Sequence, residues 1–353
     1  MGSFVWDVIH GRDPRDAPVE EWGGITYALG ALEAALPADW EFVPILKVGS
    51  DLAQSARQFV AGLERAAPGA APIEVPHPNN RVVMHYESDE RRCERLSGGV
   101  PAWTWLGLKP LLADLDALYI NLISGFELDL ETAQLIRQHF SGPIYCDIHS
   151  LLLAVQPNGT RTLRPLPNPG AWCRCFDLIQ VNEDEMNMMA SDPMALAAIA
   201  FAEGVSSIAI TLGNRGLIYF AAPGFERLSD VRRPALAARP GAIRTAKLPA
   251  KPTRHLGPGD PTGCGDVWGA THFSRLLAGD NLDAAMDRAL DAAAQRHRQR
   301  ADTVGERHCG QGHRVAGHHV HLVLVHLYEI ETAAPRPGIR KRAESSRPVR
   351  LHG

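Results

Sequence analysis

Short apolar runs alternate with helix-length stretches of mixed polarity along most of the chain. Residues 3–9 predict a first strand that closes at Asp7. Trp22-Gly23-Gly24 then opens a helix through Leu36, with Leu29, Leu32 and Leu36 on one face. Glu41 to Val48 predicts a second strand, and Asp51 is placed to cap a helix over 52–66. Residues 68–80, rich in Pro and Ala, predict a loop, and Arg81 to Glu87 alternates enough for a strand. The Arg-rich segment 91–95 is expected to be a solvated loop. Further strands are expected at 117–123, 143–149, 177–181 and 207–212, with a helix over 129–140 and a hairpin from 207–212 to 216–222. Residues 282–294 predict an amphipathic helix, carrying Leu282, Ala285, Met286, Ala289 and Leu290. Strands separated by helix-length stretches imply a parallel sheet with right-handed crossovers, and such sheets bind ligands at the carboxyl ends of their strands.

Composition leaves this picture intact up to residue 294. A chain of 353 residues with 45% hydrophobic and 22% charged residues has globular proportions and fits one large α/β unit. A net charge of −4 points to neither nucleic acid nor an acidic membrane surface. No apolar run reaches the roughly 18 residues of a spanning helix. Six cysteines lie scattered without metal-ligand spacing, so a reducing, cytoplasmic setting is expected. The character changes at 295–353, which holds eight of the fifteen histidines. Eleven Lys and Arg stand there against five Asp and Glu, a net +6 that leaves −10 for residues 1–294. Three readings stay open for this His- and Arg-rich tail: a metal-binding tract, a disordered basic tail, or a frame-shifted end.

The densest chemistry lies in Gly257-Pro258-Gly259-Asp260-Pro261-Thr262-Gly263-Cys264-Gly265-Asp266. A glycine-rich turn feeding a helix leaves backbone N–H groups aimed at one spot, which makes an anion site. Gly263 and Gly265 let the backbone approach a phosphate closely. Asp266 would repel such a ligand unless it takes a proton from an attacking hydroxyl. A plain helix cap with an acid in its first turn is the alternative.

The run resembles the signature of the ribokinase-like carbohydrate kinases, the PfkB family, whose pattern is Asp-Thr-x-Gly-Ala-Gly-Asp. Here Pro261 stands for the Thr and Cys264 for the Ala. The resemblance implies a three-layer α/β/α fold over 1–294, with a mainly parallel central sheet and a small β lid drawn from 10–25 and 75–105. It implies ATP-dependent phosphorylation of a hydroxyl on a sugar or sugar-like small molecule, with Mg²⁺ and a monovalent cation as cofactors. Asp266 would be the general base, and Gly263, Cys264 and Gly265 the backbone anion hole. Asn182 and Glu185, an Asn-x-x-Glu pair, would order Mg²⁺ and its waters; by themselves they also read as a helix start. Thr211, Gly213 and Gly216 would border the nucleotide, and read equally as a hairpin turn. Asp7 would contact substrate hydroxyls, and Gly23 and Gly24 would let substrate sit against backbone, although the Asn that follows them in the family is not evident. Val48-Gly49-Ser50-Asp51 resembles the family's Val-Gly-x-Asp turn. A homodimer through the lid is the expected assembly. The helix, glycine-bearing turn and last helix that would complete an adenine pocket are not evident after 294. A nucleoside kinase of the same fold and a catalytically impaired nucleotide- or sugar-binding protein are the alternatives.

Overall fold

The computed structural model describes residues 1–10, 17–86, 92–232, 241–252 and 261–309. Gly257 to Asp260 of the glycine-rich run, the stretches 11–16 and 87–91 of the expected lid region, and the tail beyond 309 lie outside them. The chain enters as strand β1 (Gly2–His10), returns as β2 (Val19–Gly24) and turns into helix α1 (Ile25–Ala35). Strand β3 (Leu46–Gly49), helix α2 (Ala53–Ala61), strand β4 (Ile73–Val75) and the antiparallel pair β5 (Asn80–Tyr86) and β6 (Arg92–Ser97) follow. Next come α3 (Trp105–Leu112), β7 (Leu118–Asn121), α4 (Leu130–His139), β8 (Ile144–Asp147) and the hairpin β9 (Leu153–Val155) and β10 (Arg161–Leu163). Helix α5 (Pro169–Cys173), strand β11 (Leu178–Asn182), helices α6 (Glu183–Met189) and α7 (Pro193–Ala202), and strands β12 (Ser207–Thr211), β13 (Leu217–Ala221) and β14 (Arg244–Leu248) lead to α8 (Cys264–Leu277) and α9 (Leu282–Cys309).

One sheet runs in the order β14-β13-β12-β11-β8-β7. Strands β7, β8, β11 and β12 are parallel, while β13 and β14 are antiparallel at one edge. Beyond β7 the Met1 amine donates to the Tyr119 carbonyl at 2.7 Å and the Asn121 N–H donates to the Met1 carbonyl at 2.9 Å. That junction extends the sheet through β1 to the parallel strands β3 and β4. The rest of β1 pairs with β2 on one side and β5 on the other, and β5 pairs with β6; these strands form the small sheet expected as the lid.

Period-two alternation assigns each strand side chain to one of two cores. Leu118, Ile120, Ile144, Cys146, Ile179, Val181, Ile208 and Ile210 face Ile136, Trp172, Met186, Leu196 and Phe201, from helices α4 to α7. Tyr119, Tyr145, Leu178, Ala209, Leu217 and Tyr219 face Leu29, Leu32, Phe273, Leu276 and Met286, from α1, α8 and α9. The result is three layers, helices on both faces of a mainly parallel sheet. Helix ends follow local chemistry: Asp129 caps α4 through the Thr132 N–H at 2.7 Å, and Asp192 caps α7 ahead of Pro193.

Several expectations need correction. The 68–80 loop contains β4, and residues 92–95 of the Arg-rich segment begin β6, an edge strand. Asp51 does not cap α2, whose cap residue is Leu52. Its carboxylate instead accepts from the Asn79 N–H at 2.7 Å and from Arg81 at 2.9 Å, which ties the β3 turn to the start of β5. Helix α9 runs unbroken past residue 294 to Cys309, 28 residues in all, because Gln, Arg, Ala and Glu all favour helix. Arg296 on this extension stacks 4.5 Å from the Tyr27 ring centroid. The β9–β10 hairpin ties the lid to the body: the Leu96 N–H donates to the Gly159 carbonyl at 2.8 Å, and Arg161 pairs with Glu94 at 3.3 Å. Among the described residues no helix is long and apolar enough to cross a membrane.

Candidate active site

Helix α8 begins at Gly263, which caps it with φ 83°, a left-handed conformation that suits glycine. A Cβ at this position would lie 2.7 Å from the Tyr27 ring, so the turn also packs too closely for any other residue. The Cys264 N–H is turned into the Pro261 carbonyl at 3.1 Å. Among the described residues no acceptor bonds the N–H groups of Gly263 and Gly265. Of the three expected anion-hole residues, Cys264 thus has its amide engaged in the turn, while the amides of Gly263 and Gly265 have no partner among the described residues. The positive end of the helix dipole adds to the attraction for an anion.

Asp266, half-buried, sits in the first turn, and side chains from three strands hold that turn to the sheet. Asn121 at the end of β7 donates from Nδ2 to Asp266 Oδ1 at 2.9 Å. The Tyr119 hydroxyl reaches the Asp266 carbonyl at 3.5 Å, and Gln180 Nε2 on β11 donates to the Gly265 carbonyl at 3.1 Å. The Tyr145 hydroxyl on β8 donates in turn to Gln180 Oε1 at 2.7 Å. Tyr119 and Tyr145 stack with ring centroids 5.3 Å apart, and burial pushes both phenols well above their usual range, so they remain neutral donors. Gly269, one helical turn on from Gly265, leaves room for this polar row: a Cβ there would lie 2.3 Å from Gln180 Oε1.

The carboxyl ends of β8 and β11 add a second group of ionisable residues. Asn182 and Glu185 form a closed capping box on α6: Asn182 Oδ1 accepts from the Glu185 N–H at 2.9 Å, and Glu185 Oε2 accepts from the Asn182 N–H at 2.7 Å. Glu185 Oε1 accepts from Asn182 Nδ2 at 2.5 Å and bonds His149 Nδ1. Burial alone would lower the His149 pKa. The charge and hydrogen bond of Glu185 override that and raise it from 6.5 to about 9. Burial, followed by the charge of Glu185, lifts Asp147 from 3.8 to about 8, with a smaller contribution from Asp266. Glu185 Oε1 is thus bonded twice within the protein, while Oε2 accepts one hydrogen bond and keeps a second lone pair. Among the described residues no group of three His, Cys, Asp or Glu side chains is placed to hold a metal.

The other expected site residues fall into two places. Thr211 lies beside Asn182 in the β11–β12 register. Gly213 and Gly216 shape the β12–β13 hairpin with φ 59° and 90°, and a Cβ on Gly216 would lie 2.0 Å from the Leu248 carbonyl. Asp7 is buried within β1, not at its end, because β1 runs on into the lid. Its carboxylate lies over Gly23, where a Cβ would be 1.7 Å from Oδ2. Gly24, at φ 60°, caps α1 with its own Cβ position 2.8 Å from the Ser3 carbonyl. Tyr27, one turn further along α1, joins these glycines to the anion turn: its ring rests on Gly263 and its hydroxyl donates to Glu21 Oε1 at 2.6 Å. Asn121, Asp147, His149 and Gln180 were not picked out as site residues by sequence. The signal available was a polar residue closing an apolar strand run, as at Asn121 and Asp147.

No protein-family model and no curated protein sequence matches the chain. Solved structures do. A pyrophosphate-dependent kinase in the ribokinase family, in a sulfate complex, matches with TM-score 0.64 and 15% identity over 84% of this chain and 94% of that one. Burkholderia thailandensis nucleoside kinase in complex with inosine matches with TM-score 0.60 and 15% identity over 87% and 96%. Arabidopsis thaliana ribokinase complexed with ribose and ATP matches with TM-score 0.54 and 14% identity over 83% and 90%. At such identity the likeness speaks for architecture, and that architecture is the one described above: the chain has the ribokinase-like fold, with Asp266 in the helix that begins over the carboxyl ends of its parallel strands.

Proposed function

We propose that this protein is a kinase that transfers a phosphoryl group to a hydroxyl of a small, sugar-like molecule. The observation that carries the reading is Asp266 in the first turn of α8, three residues past the left-handed glycine cap Gly263 and held by Asn121. In the proposed step the acceptor oxygen attacks the terminal phosphorus of the donor. The bond from that phosphorus to the bridging oxygen breaks, and the hydroxyl proton passes to Asp266. The amides of Gly263 and Gly265 receive the charge on the phosphoryl oxygens, the kind of donor whose removal costs about 3–4 kcal/mol elsewhere. The donor is ATP, taken as its magnesium complex. Pyrophosphate is a second donor reading, favoured by the likeness to a pyrophosphate-dependent kinase. A nucleoside is a second acceptor reading, favoured by the likeness to a nucleoside kinase.

The test pairs ATP or pyrophosphate with ribose, myo-inositol and inosine, and follows the phosphorylated product by phosphorus NMR. Product is expected from at least one pairing, and Asp266→Asn is expected to lower turnover about 10²- to 10⁴-fold while keeping donor binding. Near-normal turnover in that variant removes Asp266 as the base.

A further inference from the structure

Asn121 is fully buried at the carboxyl end of β7, in register with Asp147 on β8. A carboxylate only accepts hydrogen bonds, so the Asn121 NH₂ group must face Asp266, as the 2.9 Å contact to Oδ1 has it. The opposite end of the amide, Oδ1, is buried without any hydrogen-bond partner. A buried orphan oxygen weakens the fold. The strand does not need it, since the same run supplies the apolar Leu118 and Ile120. The other tethers of this turn, Tyr119 and Gln180, grip main-chain carbonyls, and Asn121 is the strand residue that holds the carboxylate itself.

We infer that Asn121 is a positioning residue for the proposed base: it fixes the plane of the Asp266 carboxylate and keeps it ionised for the acceptor hydroxyl. This role rests on the reading of Asp266 as general base. A hydrogen bond given to the ionised form favours that form, so its loss moves the carboxylate pKa upward. Among the described residues, the charged and titratable groups facing Asp266 are Asp147 from β8 and Tyr119 from β7, with Glu185 of α6 and His149 behind Asp147.

The experiment measures kcat and kcat/KM against pH, from 5 to 8, for wild type, Asn121→Leu, Asn121→Asp, Gln180→Leu and Asp266→Asn. Leu branches at Cγ as Asn does and removes only the polar atoms. Asn121→Leu should lower kcat about 10- to 100-fold, with donor KM within about threefold. The acid limb of its kcat/KM profile should move up by about one unit. Asn121→Asp should move that limb further, because a second negative charge opposes ionisation. Gln180→Leu loses a main-chain tether and should lose stability with the limb unmoved. An unshifted limb in both Asn121 variants, beside an inactive Asp266→Asn, overturns the role of Asn121 alone. Full turnover in Asp266→Asn overturns the base assignment and this role with it.

Discussion

Gly269 offers a sharp test of the polar row under α8. In an exposed helix interior, Gly→Ala stabilises by about 1 kcal/mol through propensity. At Gly269 the new methyl would lie 2.3 Å from Gln180 Oε1, 3.0 Å from the Tyr145 hydroxyl and 3.2 Å from the Tyr119 hydroxyl. Gln180 cannot simply swing aside, because it is buried and bonded at both ends, by Tyr145 at 2.7 Å and to the Gly265 carbonyl at 3.1 Å. Making room breaks both bonds, each worth about 1 kcal/mol. Overpacking adds about 1–3 kcal/mol. After the propensity gain, Gly269→Ala should destabilise by about 2–4 kcal/mol. Gly30→Ala is the control: it is exposed on α1 with no heavy atom within 4 Å of the new methyl, and should stabilise by up to about 1 kcal/mol. Urea unfolding read by tryptophan fluorescence compares the two. If Gly269→Ala proves as stable as Gly30→Ala, the tether geometry described for α8 is wrong.

The ionisable group around Asp147 predicts a pH signature. Folded His149 titrates near 9 against 6.5 when unfolded, so the stability it contributes is complete below 6.5 and lost as pH rises through 9. Folded Asp147 titrates near 8 against 3.8, so its contribution is likewise present at low pH and lost as pH rises through 8. Wild-type stability relative to His149→Gln should therefore fall between pH 6.5 and 9, and relative to Asp147→Asn between 3.8 and 8, where the variant becomes the more stable; a flat difference refutes either assignment. Glu127, buried after β7, accepts the Ile123, Ser124 and Gly125 N–H groups at 2.7, 2.6 and 2.9 Å and the Ser3 hydroxyl at 2.8 Å. Glu127→Gln should cost about 3 kcal/mol in denaturant unfolding, since an amide cannot accept at both ends; a loss under about 1 kcal/mol counts against that loop geometry.

Local patterns were legible wherever one short stretch holds the whole signal. The cap at Gly263, the acid at Asp266, the hairpin at Gly213 and Gly216, and the Asn182–Glu185 box all lie within a few residues of their partners. Asp51 misled because a good capping residue found a better partner across space, in Asn79 and Arg81. The 68–80 loop misled because β4 is three residues long and forms only by pairing with β3.

The sequence by itself determined the parallel α/β plan, through strands separated by helix-length stretches, and placed an acid behind a glycine turn. Tertiary structure decided what that acid touches. Asn121 lies 145 residues from Asp266, and Gln180 lies 85 from Gly265. Such contacts depend on strand order and register, and a shift of one residue would turn Asn121, Asp147 and Gln180 to the opposite face of the sheet. Tertiary structure also showed that Glu185 is engaged by Asn182 and His149, which no spacing along the chain could reveal.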